Sequence, residues 1–233
     1  HLLARTLTSL QRAIVVVSQT LPLTTRLTLV DNGNDAPALQ ALLADSGLAA
    51  SSGVISNPHN IGFGAANNLA MLAAASDYHL VLNPDVELAE DALMHGLQHL
   101  QQHAAVVAVS PFSRNGAGSI EHLCKRYPAV LDLLLRGFAP DWLRRAFDTR
   151  LARYEYRELA NTVAATAVTL ISGCFMLCRT STLQRVGGFD ARYFLYFEDF
   201  ALSLALAQHG TLHYLPSCHI VHHGGGAARK GWR

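Results

Sequence analysis

The chain has 233 residues, of which half are hydrophobic and 15% are charged, and its formal net charge is +1. A chain of this length and apolar content can bury a full core, whereas a net charge near zero excludes general electrostatic attraction to nucleic acid. No apolar run approaches the roughly 20 residues that span a bilayer, and the four cysteines lack the spacing of a disulfide framework. We therefore expect a cytoplasmic globular protein that does not bind nucleic acid.

The chain opens with a helical pattern, although a doubly wound sheet normally opens with a strand. Leu3, Leu7, Leu10 and Ile14 recur at helical spacing, which predicts an amphipathic helix over residues 2–17. We therefore expect the first strand of the sheet to lie upstream and to be missing from this N-terminus.

Strand and helix patterns then alternate as far as residue 109. Strand patterns cover residues 26–30, 54–55, 80–82 and 105–109, and helical patterns cover residues 37–48, 65–75 and 92–103. This alternation is typical of βαβ units. It predicts an α/β fold with a mostly parallel sheet flanked by helices.

Polar residues follow two of these strand patterns, at the sheet edge where open α/β sheets bind ligands. Asp85 and Glu87 are two residues apart, so in extended chain they face the same side and can hold a hard divalent cation. The alternative is that they cap the following helix. Asp31 and Asn32 can form hydrogen bonds with a nucleotide. The alternative is that they simply form a turn.

The segment 60–64 leads into the helical pattern 65–75, so its backbone N–H groups can meet a diphosphate. It is neither a Walker A loop nor a G-x-G-x-x-G motif. The loop alone therefore does not identify a phosphate site.

The segment 121–163 mixes basic residues with leucines and aromatic residues. Its eight cationic residues are Lys125, Arg126, Arg136, Arg144, Arg145, Arg150, Arg153 and Arg157. The pattern predicts a basic helical excursion that lies over a cleft or against an anionic membrane surface. The alternative is a solvated helical face that packs on the core.

The C-terminal part carries two further pairs of candidate residues. Glu198 and Asp199 begin a helix directly after the aromatic segment 193–197. Acidic residues favour helix N-termini as caps, but a carboxylate in an aromatic cleft suited to a sugar is also a plausible general base. His222 and His223 follow a strand pattern and are candidate metal ligands, while a zinc site with Cys218 lacks a matching second pair.

Five segments, in this order, resemble glycosyltransferase family 2 with the GT-A fold, and most closely its rhamnosyltransferase-like branch. They are LTLVDNGND, NPHNIGFGAANN, YHLVLNPDVEL, LISGCFMLCRTSTLQRVGGFDARYFLYFEDFALSLALAQHG and YLPSCHIVHHGGG. The resemblance covers most of the chain outside segment 121–163. It implies an inverting transfer from a nucleotide-diphosphate sugar, with Mg²⁺ or Mn²⁺ as cofactor.

The resemblance also implies roles for individual residues. Asn83-Pro84-Asp85 matches an Asp-x-Asp-type motif, so Asp85 is predicted to bind the metal with His222, or with His223 as the fallback. Asp199, with Glu198 beside it, matches the pair that supplies the catalytic base, which leaves Glu87 a supporting role. The residues assigned to donor binding are Asp31, Asn32, Asn60, Gly62, Phe63, Asn67, Asn83, Asp85 and Gly173.

We therefore predict a single GT-A domain over residues 1–233, with a nucleotide-binding half (1–115), a helical insertion (120–163) and an acceptor and catalytic half (164–233). The expected donor is dTDP-rhamnose, with a UDP-sugar second, and the expected acceptor is a saccharide or lipid-linked oligosaccharide of bacterial surface polysaccharide synthesis. Peripheral contact with the inner face of the cytoplasmic membrane is also expected. The alternatives are an inactive glycosyltransferase-like binding domain and a nucleotidyltransferase.

Overall fold

The computed structural model describes residues 2–33 and 35–224. Its helices are α1 (Leu2–Ser18), α2 (Ala36–Asp45), α3 (Phe63–Met71), α4 (Ala92–Gln102), α5 (Val130–Phe138), α6 (Asp141–Ala146), α7 (Asp148–Tyr154), α8 (Thr180–Arg185) and α9 (Glu198–Leu206). Its strands are β1 (Leu27–Asp31), β2 (Ser52–Ser56), β3 (Tyr78–Leu82), β4 (Val86–Leu88), β5 (Val106–Asn115), β6 (Ile120–Glu121), β7 (Thr166–Val168), β8 (Phe175–Arg179) and β9 (Thr211–His222).

The strands form a mixed sheet system flanked by helices, which confirms the predicted α/β class and the helical insertion. β1 and β2 pair with each other, while the larger sheet has the order β3-β8-β5-β9-β4, with β6 on β5 and β7 on β9. Two of the seven pairings among the described residues, β1–β2 and β5–β9, are parallel, and the others are antiparallel. The sheet is less parallel than predicted, because β8 runs antiparallel to both β3 and β5. The strands β4, β6 and β7, which are too short to show an apolar run, also pair antiparallel.

Residues 212–215 and 220–221 each have a short strand pattern, which predicts two separate strands, but the structure joins them in β9. It is one strand from Thr211 to His222, and its register against β5 jumps from Leu215 opposite Pro111 to His219 opposite Phe112. The bulge contains Pro216, which cannot donate to a strand ladder. By continuing past the bulge, β9 brings His222 opposite Val86 of β4.

Two hydrophobic clusters lie on the two faces of the larger sheet, and β8 contributes to both. Phe175 and Leu177 belong to the cluster that includes α1 and α4, whereas Met176 and Cys178 belong to the cluster that includes α9. This alternation follows from the two-residue period of a strand. β8 thereby holds the segment just before it, residues 172–174, in the middle of the fold.

The opening helix is confirmed as α1, which packs on α4 and β4. In the described ranges, β1 and β3 lie in different sheets. The upstream first strand stays a prediction, as does the division of the chain at residues 115, 120 and 163. None of the helices described is long and apolar enough to cross a bilayer.

Candidate active site

The turn after β3 and the end of β9 form the first part of the site. The Asn83 N–H donates to the Cys174 carbonyl at 2.9 Å, and the His223 N–H donates to the Asp85 carbonyl at 2.9 Å. These backbone bonds place His222 Nε2 3.5 Å from Asp85 Oδ1. The structure therefore brings together the two residues predicted to bind metal, 137 positions apart in the sequence.

His222 is held from its other side by Glu121, at the end of β6. Its Nδ1 lies 3.0 Å from both oxygens of the Glu121 carboxylate. Asp85 first, and then Glu121, raise the pKa of His222 to about 9, and the imidazole in turn holds the pKa of Asp85 below its usual value. A carboxylate on the second nitrogen of a histidine orients that ring in metal sites.

Several buried oxygens at this end of the sheet have no hydrogen-bond partner. Among the described residues, five buried side-chain polar atoms have no hydrogen bond, and three of them are Asn83 Oδ1, Asp85 Oδ1 and Glu198 Oε2. Of these three, Asp85 Oδ1 has the ion-pair contact with His222. A buried acceptor without a donor costs about 1–3 kcal/mol. Two of these oxygens therefore belong to residues predicted to bind the donor or the metal, and the third belongs to Glu198, which was predicted to be catalytic together with Asp199.

These oxygens fit a divalent cation held partly by substrate. No group of three or more His, Cys, Asp or Glu side chains in the described ranges is arranged as a metal cage. Mg²⁺, however, is usually bound by one or two carboxylates together with substrate phosphates and water. Asp85 and Asn83 supply hard oxygen ligands for such a site, and His222 can join them once it loses its proton.

Glu87 and His223 form a separate pair beside this site. Glu87 forms a close contact with His223 and a 2.7 Å ion pair with Arg5 of α1. Glu87 belongs to β4 and does not cap a helix, so the helix-start role considered for it is wrong. Because His223 contacts Glu87 while His222 contacts Asp85, the geometry favours His222 over His223 as the partner of Asp85.

The segment Gly173–Cys174 connects the first part of the site to the candidate base. The Gly173 N–H donates to Asp199 Oδ2 at 3.1 Å, while the adjacent Cys174 carbonyl accepts from Asn83. A Cβ on Gly173 would lie 3.0 Å from the Phe63 ring and 3.5 Å from Asp199 Cβ. We call residues 60–64 the donor loop. The donor loop, the candidate metal residues and the candidate base therefore meet around two adjacent backbone units.

Asp199 and Glu198 begin α9, as predicted, and both are shielded from water. Burial raises the pKa of Asp199, and the N–H groups of Gly173 and Phe200 partly oppose this effect. Burial also raises the pKa of Glu198, whose Oε2 is unpartnered. Ser203 fixes the start of α9, since its hydroxyl donates to the Asp199 carbonyl at 2.7 Å.

The residues before α9 are exposed and strained. Tyr193, Phe194, Leu195, Tyr196 and Phe197 are all exposed. Tyr196 and Phe197 have φ values of 68° and 67°, a left-handed conformation that is unfavourable for residues with a side chain. Strain of this kind clusters at functional sites, and the aromatic cleft suited to a sugar stays a prediction.

On the nucleotide side, Asp31 and Asn32 hold the loop after β1. The buried Asp31 carboxylate accepts from the Gly33 and Asp35 N–H groups at 3.0 and 2.8 Å. Asn32 donates to Asn60 Oδ1 at 2.8 Å and accepts from the Ile61 N–H at 3.0 Å. These contacts show a structural role for both residues, and their contact with a nucleotide stays a prediction.

The remaining donor-loop residues lie at the start of α3. The Phe63 N–H donates to the Phe194 carbonyl at 3.3 Å, so this loop lies against the exposed aromatic segment. Asn67 donates to the Phe63 carbonyl of its own helix at 2.9 Å. Asn60, Gly62 and Phe63 therefore lie together, while the Asn67 amide is bonded locally.

Two residues of the site were missed by sequence reasoning. Glu121 was not assigned a role, because no spacing relates it to His222, 101 positions away, and only the β5–β6 hairpin brings them together. Lys125 was assigned to the basic excursion, but it is buried, and burial lowers its pKa to about 8. Its positive charge lowers the pKa of Asp199, which opposes the effect of burial.

Residues 1–185 match the family model of Glycosyl transferase family 2. Rhamnosyltransferase WbbL of Escherichia coli (strain K12) is 29% identical over 171 residues, which cover 70% of this chain and 61% of the relative. The N-acetylglucosaminyl-diphospho-decaprenol L-rhamnosyltransferase of Mycobacterium tuberculosis (strain CDC 1551 / Oshkosh) is 30% identical over 181 residues, which cover 70% of this chain and 56% of the relative. The chain thus spans about three fifths of the length of these relatives.

The fold is also similar to that of a solved structure, GalNAc-T7 with UDP, GalNAc and Mn²⁺. The two superpose with a TM-score of 0.61 and 12% sequence identity, over 85% of this chain and 37% of the other. At this level of identity, the likeness shows a shared fold.

Proposed function

The chain belongs to glycosyltransferase family 2, in its rhamnosyltransferase-like branch, and from that premise we propose that it transfers L-rhamnose from dTDP-L-rhamnose to a saccharide acceptor with inversion. The activities for which its relatives are named support rhamnose as the transferred sugar. One of them also supports a lipid-linked N-acetylglucosaminyl diphosphate as the acceptor class. A UDP-sugar is the second donor candidate. The transfer would take place at the cytoplasmic face of the membrane, in surface polysaccharide synthesis.

The observation that carries the proposal is the convergence at Gly173–Cys174. The Gly173 N–H donates to the Asp199 carboxylate, and the Cys174 carbonyl accepts from Asn83, in the turn that also carries Asp85. A transferase of this kind needs a base on one side of the anomeric carbon and a charged site for the diphosphate on the other. The two groups of residues supply these functions at neighbouring points.

In the proposed mechanism, Asp199 accepts the proton of the acceptor hydroxyl. The acceptor oxygen attacks the anomeric carbon from the face opposite the nucleotide, and the bond from that carbon to the diphosphate oxygen breaks. Burial favours this role, because it raises the pKa of Asp199 toward the pH at which a base can both accept and release a proton. Glu198, beside it, is the alternative base.

Asn83, Asp85 and His222 would hold a divalent cation against the diphosphate. When bound, Mg²⁺ or Mn²⁺ neutralises the negative charge that builds on the leaving nucleoside diphosphate. Glu121 keeps the His222 ring oriented toward Asp85. Of the two alternatives from the sequence, a nucleotidyltransferase finds no support in the family match, and an inactive binding domain is separated from an enzyme by the following experiment.

The substitution Asp199→Asn tests the base. It preserves the size of the side chain but removes its basicity, so we expect the rate of rhamnosyl transfer to fall by a factor of roughly 10²–10⁴, with donor affinity nearly unchanged. The measurement is transfer to a synthetic N-acetylglucosaminyl-diphospho-lipid. The matched control is Asp45→Asn, which changes an exposed aspartate at the end of α2. Wild-type turnover in Asp199→Asn would rule out this residue as the base, and no transfer by the unmodified chain would favour the inactive domain.

A further inference from the structure

The helix α5 turns its apolar side outward. Its buried residues are Asp132 and Leu135, while Val130, Leu131, Leu134 and Phe138 are exposed. Val130, Leu134 and Phe138 are four residues apart and therefore lie along one stripe of the helix. An ordinary surface helix has the opposite arrangement, with its apolar stripe against the core.

Ion pairs between α5 and the segment that follows it hold this orientation. The buried Asp132 carboxylate accepts from the Ala129 N–H at 2.8 Å and from Arg150 Nε at 2.6 Å. Arg136 of α5 lies 3.4 Å from Glu155. Asp132 and Arg136 of α5 thus form ion pairs with Arg150 of α7 and with Glu155, at the C-terminal end of α7. Because this polar side of α5 faces α7, the apolar stripe faces solvent.

The next helix extends the exposed apolar surface. Trp142 of α6 is 69% exposed and Phe138 at the end of α5 is 86% exposed, and the two helices are in contact. We call Val130, Leu131, Leu134, Phe138 and Trp142 the apolar surface. A cluster of large exposed apolar side chains in a folded protein marks an interaction site.

Arginines accompany the apolar surface. Residues 130–154 contain five arginines and three aspartates, a surplus of two positive charges. A cleft of about 470 Å³ between these helices is lined by Arg136, Arg144, Arg145 and Arg157 together with Asp141, Asp148 and Glu155, so its lining has one more positive than negative charge. Arg144 is paired with Asp141 at 2.7 Å, while no carboxylate in the described part of the chain lies within ion-pair distance of Arg145.

From these observations we propose that the apolar surface docks the protein on an anionic phospholipid membrane. Tryptophan favours the level of the lipid headgroups, and a basic helix whose exposed apolar face carries tryptophan, phenylalanine or leucine lies in the plane of that interface. The surplus of arginine selects anionic lipid over neutral lipid. With nine residues, α5 is too short to span a bilayer, so the contact is peripheral.

The surface lies close enough to the candidate active site to present it to a membrane. Val130 is nine residues after Glu121, which contacts His222, so the chain between them reaches at most about 30 Å. The proposed function places the transfer at the membrane, and the docking proposal deepens it by assigning the surface that makes the contact, which does not depend on which sugar is transferred. The vesicle experiment below contains neither donor nor acceptor, so its failure is distinct from failure of the transfer assay.

The experiment is flotation of the purified chain with vesicles of phosphatidylcholine, with and without about 30% phosphatidylglycerol. We expect partition into the anionic vesicles, and a decrease of at least about tenfold in the double variant Phe138→Asp/Trp142→Asp, because charge on this surface opposes insertion. Leu134→Asp and Val15→Asp form a matched pair, since both side chains are 51% exposed and only Leu134 belongs to the apolar surface. Leu134→Asp should lower partition, and Val15→Asp should not.

A second measurement leaves the apolar surface intact. In a Trp232→Phe background, Trp142 is the remaining tryptophan, and its emission should shift to shorter wavelength when anionic vesicles are added. Equal partition into neutral vesicles, equal partition of Phe138→Asp/Trp142→Asp, or an unshifted emission would each overturn the proposal. Self-association that is lost in Phe138→Asp/Trp142→Asp, without vesicle binding, would assign the surface to a second copy of the chain and would also overturn it.

Discussion

At the scale of single residues, the burial that suits Asp199 to act as a base also lowers the stability of the fold. The Asp199 carboxylate is shielded from water, which disfavours the charged form, and two backbone N–H groups compensate only in part, so that its pKa is raised. An acid whose pKa is higher in the folded state than in the unfolded chain weakens folding at any pH where it must be charged. The proposed base is therefore a local source of instability.

This reasoning predicts a pH-dependent stability difference for Asp199→Asn. At neutral pH the variant should unfold at a higher temperature than the wild type, because it buries no charge. The difference should shrink as the pH falls through the raised folded-state pKa toward 3.8, the value of an unperturbed aspartate, because below that pH the wild-type carboxyl is protonated in both states. Thermal unfolding followed by circular dichroism between pH 4 and pH 8 measures this difference.

The exposed Asp45→Asn serves as the control and should show no such trend. A variant Asp199→Asn that is less stable than the wild type at neutral pH would mean that its two N–H bonds outweigh the cost of burial. Asp199 would then hold Gly173 in place, and Glu198 would become the better candidate for the base.

At the scale of elements, the donor loop depends on one glycine. Gly62 has φ 90° and ψ 163°, a region of backbone space that is essentially limited to glycine. A Cβ at this position would lie 2.7 Å from the Phe194 carbonyl oxygen. The loop before α3 can therefore approach the aromatic segment only because residue 62 has no side chain.

We predict that Gly62→Ala destabilises the fold by about 1–3 kcal/mol and weakens donor binding, because the loop must move away from Phe194. The control is Gly53→Ala in β2, where a Cβ would meet nothing within 4 Å, and where stability should be unchanged or slightly higher. Urea unfolding of both variants compares them. Equal stability of Gly62→Ala and the wild type would show that the loop is not constrained at this point.

The elements also show where pattern reading succeeded. α1 and α4 begin and end close to their predicted positions because their apolar residues recur at helical spacing over several turns, and α9 begins at its predicted residue, Glu198. β4 and β6 contain only three and two residues, too few for any periodicity. The orientation of α5 was equally hidden, since an amphipathic pattern does not tell which face is covered.

At the scale of the whole molecule, the candidate site is distributed over both halves of the chain. Asn83 and Asp85 come from the turn after β3, Glu121 from β6, Asp199 from α9 and His222 from β9. Binding a donor and a cation at such a site couples distant segments. A ligand that binds only the folded state stabilises it by mass action.

We therefore predict that nucleotide-diphosphate sugars raise the unfolding temperature in the presence of Mn²⁺. In a thermal-shift panel, dTDP-L-rhamnose should give the largest increase, with UDP-sugars second. EDTA should abolish most of the increase, and Asp85→Ala should do the same, because it removes a hard oxygen ligand. Asp91→Ala, which changes an acid at the start of α4 that has no role in the site, is the control. An undiminished shift with EDTA would exclude a metal-dependent donor site.

The α/β class, the order of most helices and strands, and the family could all be predicted from the sequence, because they depend on local periodicity and on short motifs whose residues are adjacent in the chain. The sequence also placed Asp85, Asp199 and His222 at the ends of elements. Only the tertiary structure decided which of these side chains meet, since contact between residues 26 to 137 positions apart depends on sheet register and on the bulge in β9. It likewise decided that Glu121 supports His222, that Lys125 is buried, and that α5 exposes its apolar side. Each of these follows from packing among distant segments.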